Sequence, residues 1–264
     1  MSPHQQPTTQ RASHPAPAAL PPLSFNAWLR FDVARRMLPP GPGDLLDIGC
    51  GQAALGIRLA AHHAYRYVGV EPDAGSYGIA ASRLAAANVP GEIRNGDLKV
   101  LDPGTRFDVV TAFEVLEHIE DDKAALDEWI RRARPGGTLL LSTPAHQHRY
   151  GVQDELVGHF RRYDPPAMEE LLKAADLKNV DVRLYGMPAG YALEAARNAI
   201  GRRRIAAVKD ESLTERSQGS GRFMQPSSPV AGMVTRLGTA PFRQIQRAFP
   251  HTGPTLVARA AIPA

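Results

Sequence analysis

The sequence is poor in several things, and each shortage excludes something. Cysteine occurs once, as Cys50, which rules out an intrachain disulfide and leaves the redox compartment open. No apolar run reaches the roughly 18 residues that a bilayer-spanning helix needs. The opening "MSPHQQPTTQRASHPAPAALPP" lacks the apolar centre of a signal peptide. Aromatic residues make up 6% of the chain and the formal charge is only +4, so a basic groove with stacking platforms for nucleic acid is not expected. These shortages point to a cytoplasmic protein with no membrane span, and they leave the oligomeric state open.

What is present suffices for one sizeable core, with 43% hydrophobic residues in 264. Residues 1–23 hold six prolines and little apolar bulk, and read as a disordered leader before a single domain over 24–264. In "SFNAWLRFDVARRML" the apolar positions 25, 28, 29, 33 and 37 follow helical spacing, and the Pro-Pro-Gly-Pro-Gly at 39–43 ends that helix. Strand patterns then lie at 44–48, 66–71, 91–95, 107–113 and 138–143, with helices at about 53–63, 73–87 and 120–134. The last helix is closed by "RPGG", read as a helix stop and a turn. This alternation predicts an α/β fold with a doubly wound, mostly parallel sheet, whose ligand lies at the carboxyl ends of the strands.

After a loop at 144–163, Asp164 can cap a helix that begins at Pro165 and runs to about Asp176. A sixth strand follows at 179–185, and "TLVARAAI" at 255–262 reads as a seventh. Residues 187–252 between them are too many for a simple loop. They are helix-like at both ends and polar in the middle, where 202–225 is expected to be mobile. Because this insertion leaves the carboxyl end of a parallel strand, a lid over the site is expected. Arg202–Arg204 are followed closely by Asp210, Glu211 and Glu215, and read as part of a solvated segment.

The segment "DLLDIGCGQAALGIRLA", 44–60, carries the first chemical motif: a strand, a glycine turn and a helix start. Read as Gly49-x-Gly51-x-x-Ala54 it is a dinucleotide fingerprint; read as Asp47-x-Gly49-x-Gly51 it suits a different adenosine cofactor. Glu71 ends the second strand, 22 residues after Gly49, and a carboxylate there can accept both ribose hydroxyls in either case. Three features break the tie. "NGD" sets Asp97 at the end of the third strand, where a carboxylate can hold an adenine amino group. Asp47 sits poorly with a pyrophosphate but suits a sulfonium and an ammonium. "FDVVTAFEVLEHIED" and then "RRARPGGTLLLSTP" follow in the order strand, helix, strand.

In this order the motifs resemble the class I S-adenosylmethionine-dependent methyltransferases. The branch with ubiquinone-biosynthesis O-methyltransferases and small-RNA 2′-O-methyltransferases is especially similar. The match covers about 44–185 and the final strand. The resemblance implies a seven-stranded Rossmann-like sheet with its last strand antiparallel, S-adenosylmethionine as methyl donor and S-adenosylhomocysteine as product. It implies that Asp47, Gly49 and Gly51 hold the methionine moiety, Glu71 the ribose and Asp97 the adenine. Cys50, Pro72, Leu98, Phe113 and Glu114 complete the implied cofactor-binding set. One departure is Ala53, where the family has a third glycine; its methyl is a small intrusion, and binding is expected to survive.

A hydroxyl nucleophile needs a base or a metal to take its proton. Two clusters at the cofactor-facing edge supply candidates. "EVLEH" contributes Glu114, Glu117 and His118, spaced to converge if the segment turns helically. "PAHQHRYGVQDELVGHFRRY" contributes His146, His148, Asp154, His159, Arg161, Arg162 and Tyr163. His146, His148, Arg162 and Tyr163 are the expected substrate-binding residues, and His118 or His159 the expected general base. The small-RNA branch offers the other choice, in which a run like Glu114-x-x-Glu117-His118 and a later histidine, here His159, bind a divalent metal. Two carboxylates and two imidazoles suit manganese, iron or zinc better than magnesium. The expected function is methyl transfer from S-adenosylmethionine to a small-molecule hydroxyl. N- or C-methylation, a nucleic-acid acceptor, a nicotinamide-dependent oxidoreductase and a protein that keeps the cofactor as a scaffold are the alternatives.

Overall fold

The computed structural model describes residues 19–205 and 229–264. Strands β1 (Gly43–Ile48), β2 (Tyr65–Glu71), β3 (Gly91–Asn95), β4 (Phe107–Phe113), β5 (Ala133–Pro144), β6 (Lys178–Tyr185) and β7 (Thr255–Ala261) form one sheet in the order β3-β2-β1-β4-β5-β7-β6. Strands β1 to β5 pair in parallel, and β7 runs antiparallel between β5 and β6. The chain starts at β1, steps outward to β3 and returns to β4 on the other side of β1. That reversal opens a crevice at the carboxyl ends of β1 and β4.

Side chains on a strand alternate faces, so neighbouring residues serve opposite cores. Leu45, Tyr67, Val109, Leu140 and Val257 pack under helices α1 (Phe25–Met37), α2 (Ala54–His63) and α3 (Ala74–Ala87). Leu46, Val68, Val110, Leu139 and Leu141 pack under α4 (Asp122–Arg131) and α6 (Pro165–Ala174), which contribute Trp129, Met168 and Leu172. With both faces covered, the central strands can be apolar throughout, which is why "LLDI" and "VVTAF" carry so few polar residues.

The short α5 (Val152–Val157) lies within the connection from β5 to α6. The insertion enters as α7 (Ala189–Ile205) and returns as α8 (Pro229–Gly238) and α9 (Ala240–Ala248). Helix α7 packs on α5, and α9 packs on α1. There Phe242 meets Phe25 edge-on at 5.4 Å, and the Gln246 side-chain amide donates to the Leu29 carbonyl at 3.0 Å. Asp32 of α1 is fully buried and accepts from Arg35, Arg36 and Arg247. Burial opposes its ionisation, but hydrogen bonds from Arg247 and Arg35 and the charge of Arg36 outweigh that and hold the carboxyl at about 2. The end of the insertion is thereby tied to the first helix.

The structure departs from the expected elements in three places. "RPGG" does not stop a helix in a turn: Arg134–Gly137 lie inside β5, as an irregularity in its pairing with β4, with Gly136 at φ 73°. The proline-rich leader ends earlier than composition suggests. Leu23 is buried, the Leu20 and Pro21 carbonyls accept from Arg58, and Ala19 N–H donates to Ala86. Residues 1–18 and most of 202–225 lie outside the described residues, as does any mobility expected of them. Among the described residues no helix is long and apolar enough to cross a membrane.

Candidate active site

The turn after β1 is built from left-handed residues. Gly49 has φ 60° and Gly51 φ 55°, and Ala53 adopts φ 56°, a conformation alanine reaches at a cost of about 1 kcal/mol. A Cβ on Gly51 would meet nothing within 4 Å, so the turn faces open space. Beneath it, Glu71 braces the backbone: one carboxylate oxygen accepts from Gly51 N–H at 2.7 Å and the other from Asp73 N–H at 2.9 Å. Each oxygen keeps a lone pair for a further donor.

Asp47 is buried, and its oxygens accept from the Tyr67 hydroxyl at 2.7 Å and the Thr111 hydroxyl at 2.8 Å. Burial raises its pKa to about 6 despite these two bonds. Tyr67 and Thr111 carry no motif signal, and only their registers opposite β1 reveal them. Gly56 permits this arrangement, since a Cβ there would lie 2.2 Å from Asp47 Oδ2. Cys50 is desolvated beside Asp47 and Glu71, which pushes its thiol well above the usual range and disfavours the thiolate.

Asp97 caps a single 3-10 turn (Leu98–Val100), accepts from Lys99 N–H, and its side chain is 62% exposed at the crevice rim. The Leu98 side chain is in the core, so only its backbone can face a ligand, and its carbonyl already accepts from Arg132. Pro72 is exposed and Phe113 half-buried.

After β4 the chain does not turn as the spacing predicts. Glu114 takes φ 58°, and the helical turn begins only at Leu116 (Leu116–His118). Glu114 is therefore engaged outside the turn that carries Glu117 and His118. It pairs with Arg30 of α1 at 2.9 Å and accepts from the Ser142 hydroxyl at 3.0 Å, while Arg30 also donates to the Tyr185 hydroxyl at 2.8 Å. The expected four-ligand group is corrected to three: Glu117, His118 and His159 come within 4.8 Å of one another, without Glu114. Arg30 was not legible in the sequence, because one of three arginines in a helix carries no signal of its own.

The rings of His118 and His159 meet edge-on at 4.6 Å. His159 is held at several points: its N–H donates to the Asp154 carbonyl, its carbonyl accepts from the Tyr150 hydroxyl, and its Nδ1 lies 2.8 Å from Asp154 Oδ1. Asp154 is buried and grasped by Arg162 through two bonds of 2.9 and 2.7 Å. Burial opposes ionisation of Asp154, but the hydrogen bonds from His159 and Arg162 prevail and its pKa is lowered. A carboxylate on Nδ1 fixes the proton there, so Nε2 presents its lone pair. That Nε2 faces Glu117 Oε1 at 3.9 Å. Glu117 is fully buried, neither oxygen has a hydrogen-bond partner, and desolvation raises its pKa well above normal. Desolvation and the neighbouring His159 lower His118 to about 4, so it is neutral near pH 7.

Two expected substrate-binding residues have their polar groups engaged within the protein. Arg162 is buried and spent on Asp154 and on Glu194 of α7, 3.2 Å away. Tyr163 is buried with its hydroxyl on Asp122. His146 and His148 stand at the start of the β5–α6 connection, His146 half-buried and His148 exposed.

A family profile described as a methyltransferase domain matches residues 27–182. The chain belongs to the class I S-adenosylmethionine-dependent methyltransferases. This methyltransferase is 36% identical over 110 residues to a ubiquinone biosynthesis O-methyltransferase of Methylobacterium nodulans, spanning 41% of this chain and 44% of the relative. It is 32% identical over 141 residues to a probable S-adenosylmethionine-dependent methyltransferase of Mycolicibacterium smegmatis, spanning 52% and 53%. The matches thus span about half the length of these curated relatives. Among solved structures, phosphoethanolamine N-methyltransferase 2 of Haemonchus contortus in complex with S-adenosyl-L-methionine has a TM-score of 0.57 at 18% identity, covering 94% of this chain and 54% of that one. The cyclase SpnF has a TM-score of 0.58 at 21% identity, covering 89% and 81%. At such identities these two structures speak for the fold alone.

Proposed function

We infer that the chain transfers the methyl group of S-adenosylmethionine to a hydroxyl of a small-molecule acceptor, with His159 as general base. The observation that carries this reading is the contact of His159 Nδ1 with buried Asp154, which leaves Nε2 as the basic nitrogen of the ring. S-adenosylmethionine supplies an electrophilic methyl on a sulfonium and leaves as S-adenosylhomocysteine. The residues at the crevice suit it: a glycine turn open at Gly51, Glu71 with spare lone pairs for ribose hydroxyls, and Asp97 at the rim for the adenine amino group. Asp47 contributes fixed negative charge behind the turn, and a cationic ligand keeps it ionised.

His159 Nε2 takes the hydroxyl proton as the oxygen attacks, and Asp154 stabilises the imidazolium that results. Arg162 keeps Asp154 charged and oriented. Helix α7 of the 187–252 insertion reaches this set through Glu194 on Arg162, which supports its role as a cover that aligns the acceptor. The curated relatives named ubiquinone biosynthesis O-methyltransferase support oxygen as the methylated atom.

A second reading rests on Glu117. Two buried carboxylate oxygens without partners, with two imidazole nitrogens within 4.8 Å, suit manganese, iron or zinc. Such an ion would polarise the acceptor oxygen, and His159 would be a ligand instead of a base.

Release of S-adenosylhomocysteine over a panel of phenols, catechols and amines tests the first reading. Catechols or phenols react, amines do not, and activity persists after exhaustive chelation. Turnover confined to amines overturns the hydroxyl acceptor. Activity lost on chelation and restored by manganese transfers the role to the metal.

A further inference from the structure

A second imidazole–carboxylate group lies at the neck of the β5–α6 connection. One nitrogen each of His146 and His148 and one oxygen of Asp164 fall within 4.8 Å of one another. The two ends of the connection meet here: Ala145 bridges Tyr163, His146 N–H donates to the Tyr163 carbonyl, and Tyr163 N–H donates to the Pro144 carbonyl. We propose that His146, His148 and Asp164 bind a late first-row divalent cation, zinc fitting best, which staples together the two ends of the loop carrying Asp154 and His159.

The lone pairs are arranged for it. His146 Nε2 lies 3.0 Å from the Gly253 carbonyl. A carbonyl only accepts, so Nε2 carries the proton and the neutral ring presents its lone pair at Nδ1. That Nδ1 stands 4.0 Å from Asp164 Oδ1, too far for a hydrogen bond. Two electron-rich atoms facing one another repel, and a cation between them turns the repulsion into ligation. Tetrahedral zinc with ligands at about 2.0–2.2 Å asks for a contraction of about 0.5 Å at this pair. The Gly253 carbonyl behind the ring fixes its tautomer and orientation, as outer partners of ligating histidines do.

Asp164 is oriented to match. It holds the N-cap position of α6, yet its side chain makes no capping hydrogen bond. Its Oδ1 accepts instead from Gln147 N–H at 3.2 Å, between the two histidines in sequence. His148 is exposed, which gives the ion an entry path and leaves coordination positions for water. Two imidazoles and one carboxylate favour zinc over the hard cations magnesium and calcium. This group shares no residue with Glu117, His118 and His159, so its occupancy is independent of how the proton of the acceptor is removed.

The test uses the full chain without a histidine tag, titrated with Co2+ and then Zn2+. One equivalent of Co2+ gives visible d–d absorption that Zn2+ abolishes, and zinc at a hundredfold excess over its Kd raises Tm by about 5 °C. His148→Ala, at an exposed position, keeps the metal-free Tm of the parent but loses both the Co2+ equivalent and the zinc shift; His159→Ala retains them. A parent Tm that zinc leaves unmoved rejects the site. So does a Co2+ equivalent that survives His148→Ala and disappears in His159→Ala.

Discussion

The two halves of the crevice are built differently. On the β1–β2–β3 side, each feature is made by residues close in sequence or by adjacent strands: the Gly49–Gly51 turn, Glu71 bracing Gly51, and Asp97 heading its own turn. On the β4–β5 side, the set is assembled from distant segments. Arg30 of α1 reaches Glu114, Ser142 fixes Glu114 from β5, the Glu117 carbonyl receives Phe160 N–H, and Glu194 of α7 holds Arg162. The first half presents a nearly fixed surface to a constant cofactor. The second depends on how helices α1, α5 and α7 dock, so if it receives the acceptor as proposed, it can be altered without disturbing the first.

Four outcomes would break or sharpen that contrast. The largest is on the acceptor side: His159→Ala lowers kcat by about a thousandfold while leaving S-adenosylmethionine affinity unchanged by calorimetry. A parallel loss of cofactor affinity would mean that the two halves are not separable. Asp32→Ala follows. Removing a buried carboxylate from three arginines costs about 3 kcal/mol in urea unfolding and detaches α9 from α1. Because the folded pKa of Asp32 is depressed to about 2, its stabilisation is full above the unfolded value near 4 and is lost as pH falls towards 2.

On the cofactor side, Glu71→Ala weakens S-adenosylmethionine binding by about 2 kcal/mol, read by calorimetry, with little effect on kcat at saturation. Unchanged affinity would remove the ribose role from Glu71. The smallest effect is a pH dependence. The raised Asp47 value of about 6 means that the free protein holds this proton more tightly than the unfolded chain, so its contribution to stability declines as pH rises from about 4 to 6. A sulfonium and an ammonium favour the ionised form, so cofactor affinity rises about tenfold from pH 5 to 7 and then levels off. A flat profile would show that Asp47 does not sense the bound cation.

The same contrast governs what can be read without coordinates. The glycine turn, Glu71 and Asp97 are visible because backbone geometry demands particular residues at particular spacings. Glu117, His118 and His159 are visible as residue types, but the spacing of Glu114, Glu117 and His118 misleads: a left-handed residue at Glu114 interrupts the turn before side chains three and four apart can stack. Arg162 and Tyr163 look like ligand-binding residues because arginine and tyrosine in a loop often are. In this fold Asp154, Glu194 and Asp122 claim them first. Arg30, Tyr67 and Thr111 have no local pattern at all; a buried hydroxyl on a strand is silent until the neighbouring strand is known.

The sequence by itself therefore determined the alternation of strands and helices, the parallel sheet with its crevice at β1 and β4, and the places of the glycine turn, Glu71 and Asp97 at the strand ends. Each of these follows from short-range periodicity, glycine conformation and the handedness of crossovers. Only the tertiary structure decided which acids and bases face each other beyond β4. It sent Glu114 to Arg30, left Glu117 buried against His159, and turned Asp154 from a loop residue into the partner of an imidazole. Those choices depend on burial and on contacts between residues far apart in the chain, where a displacement of one helix by a few ångströms exchanges one ionic partner for another.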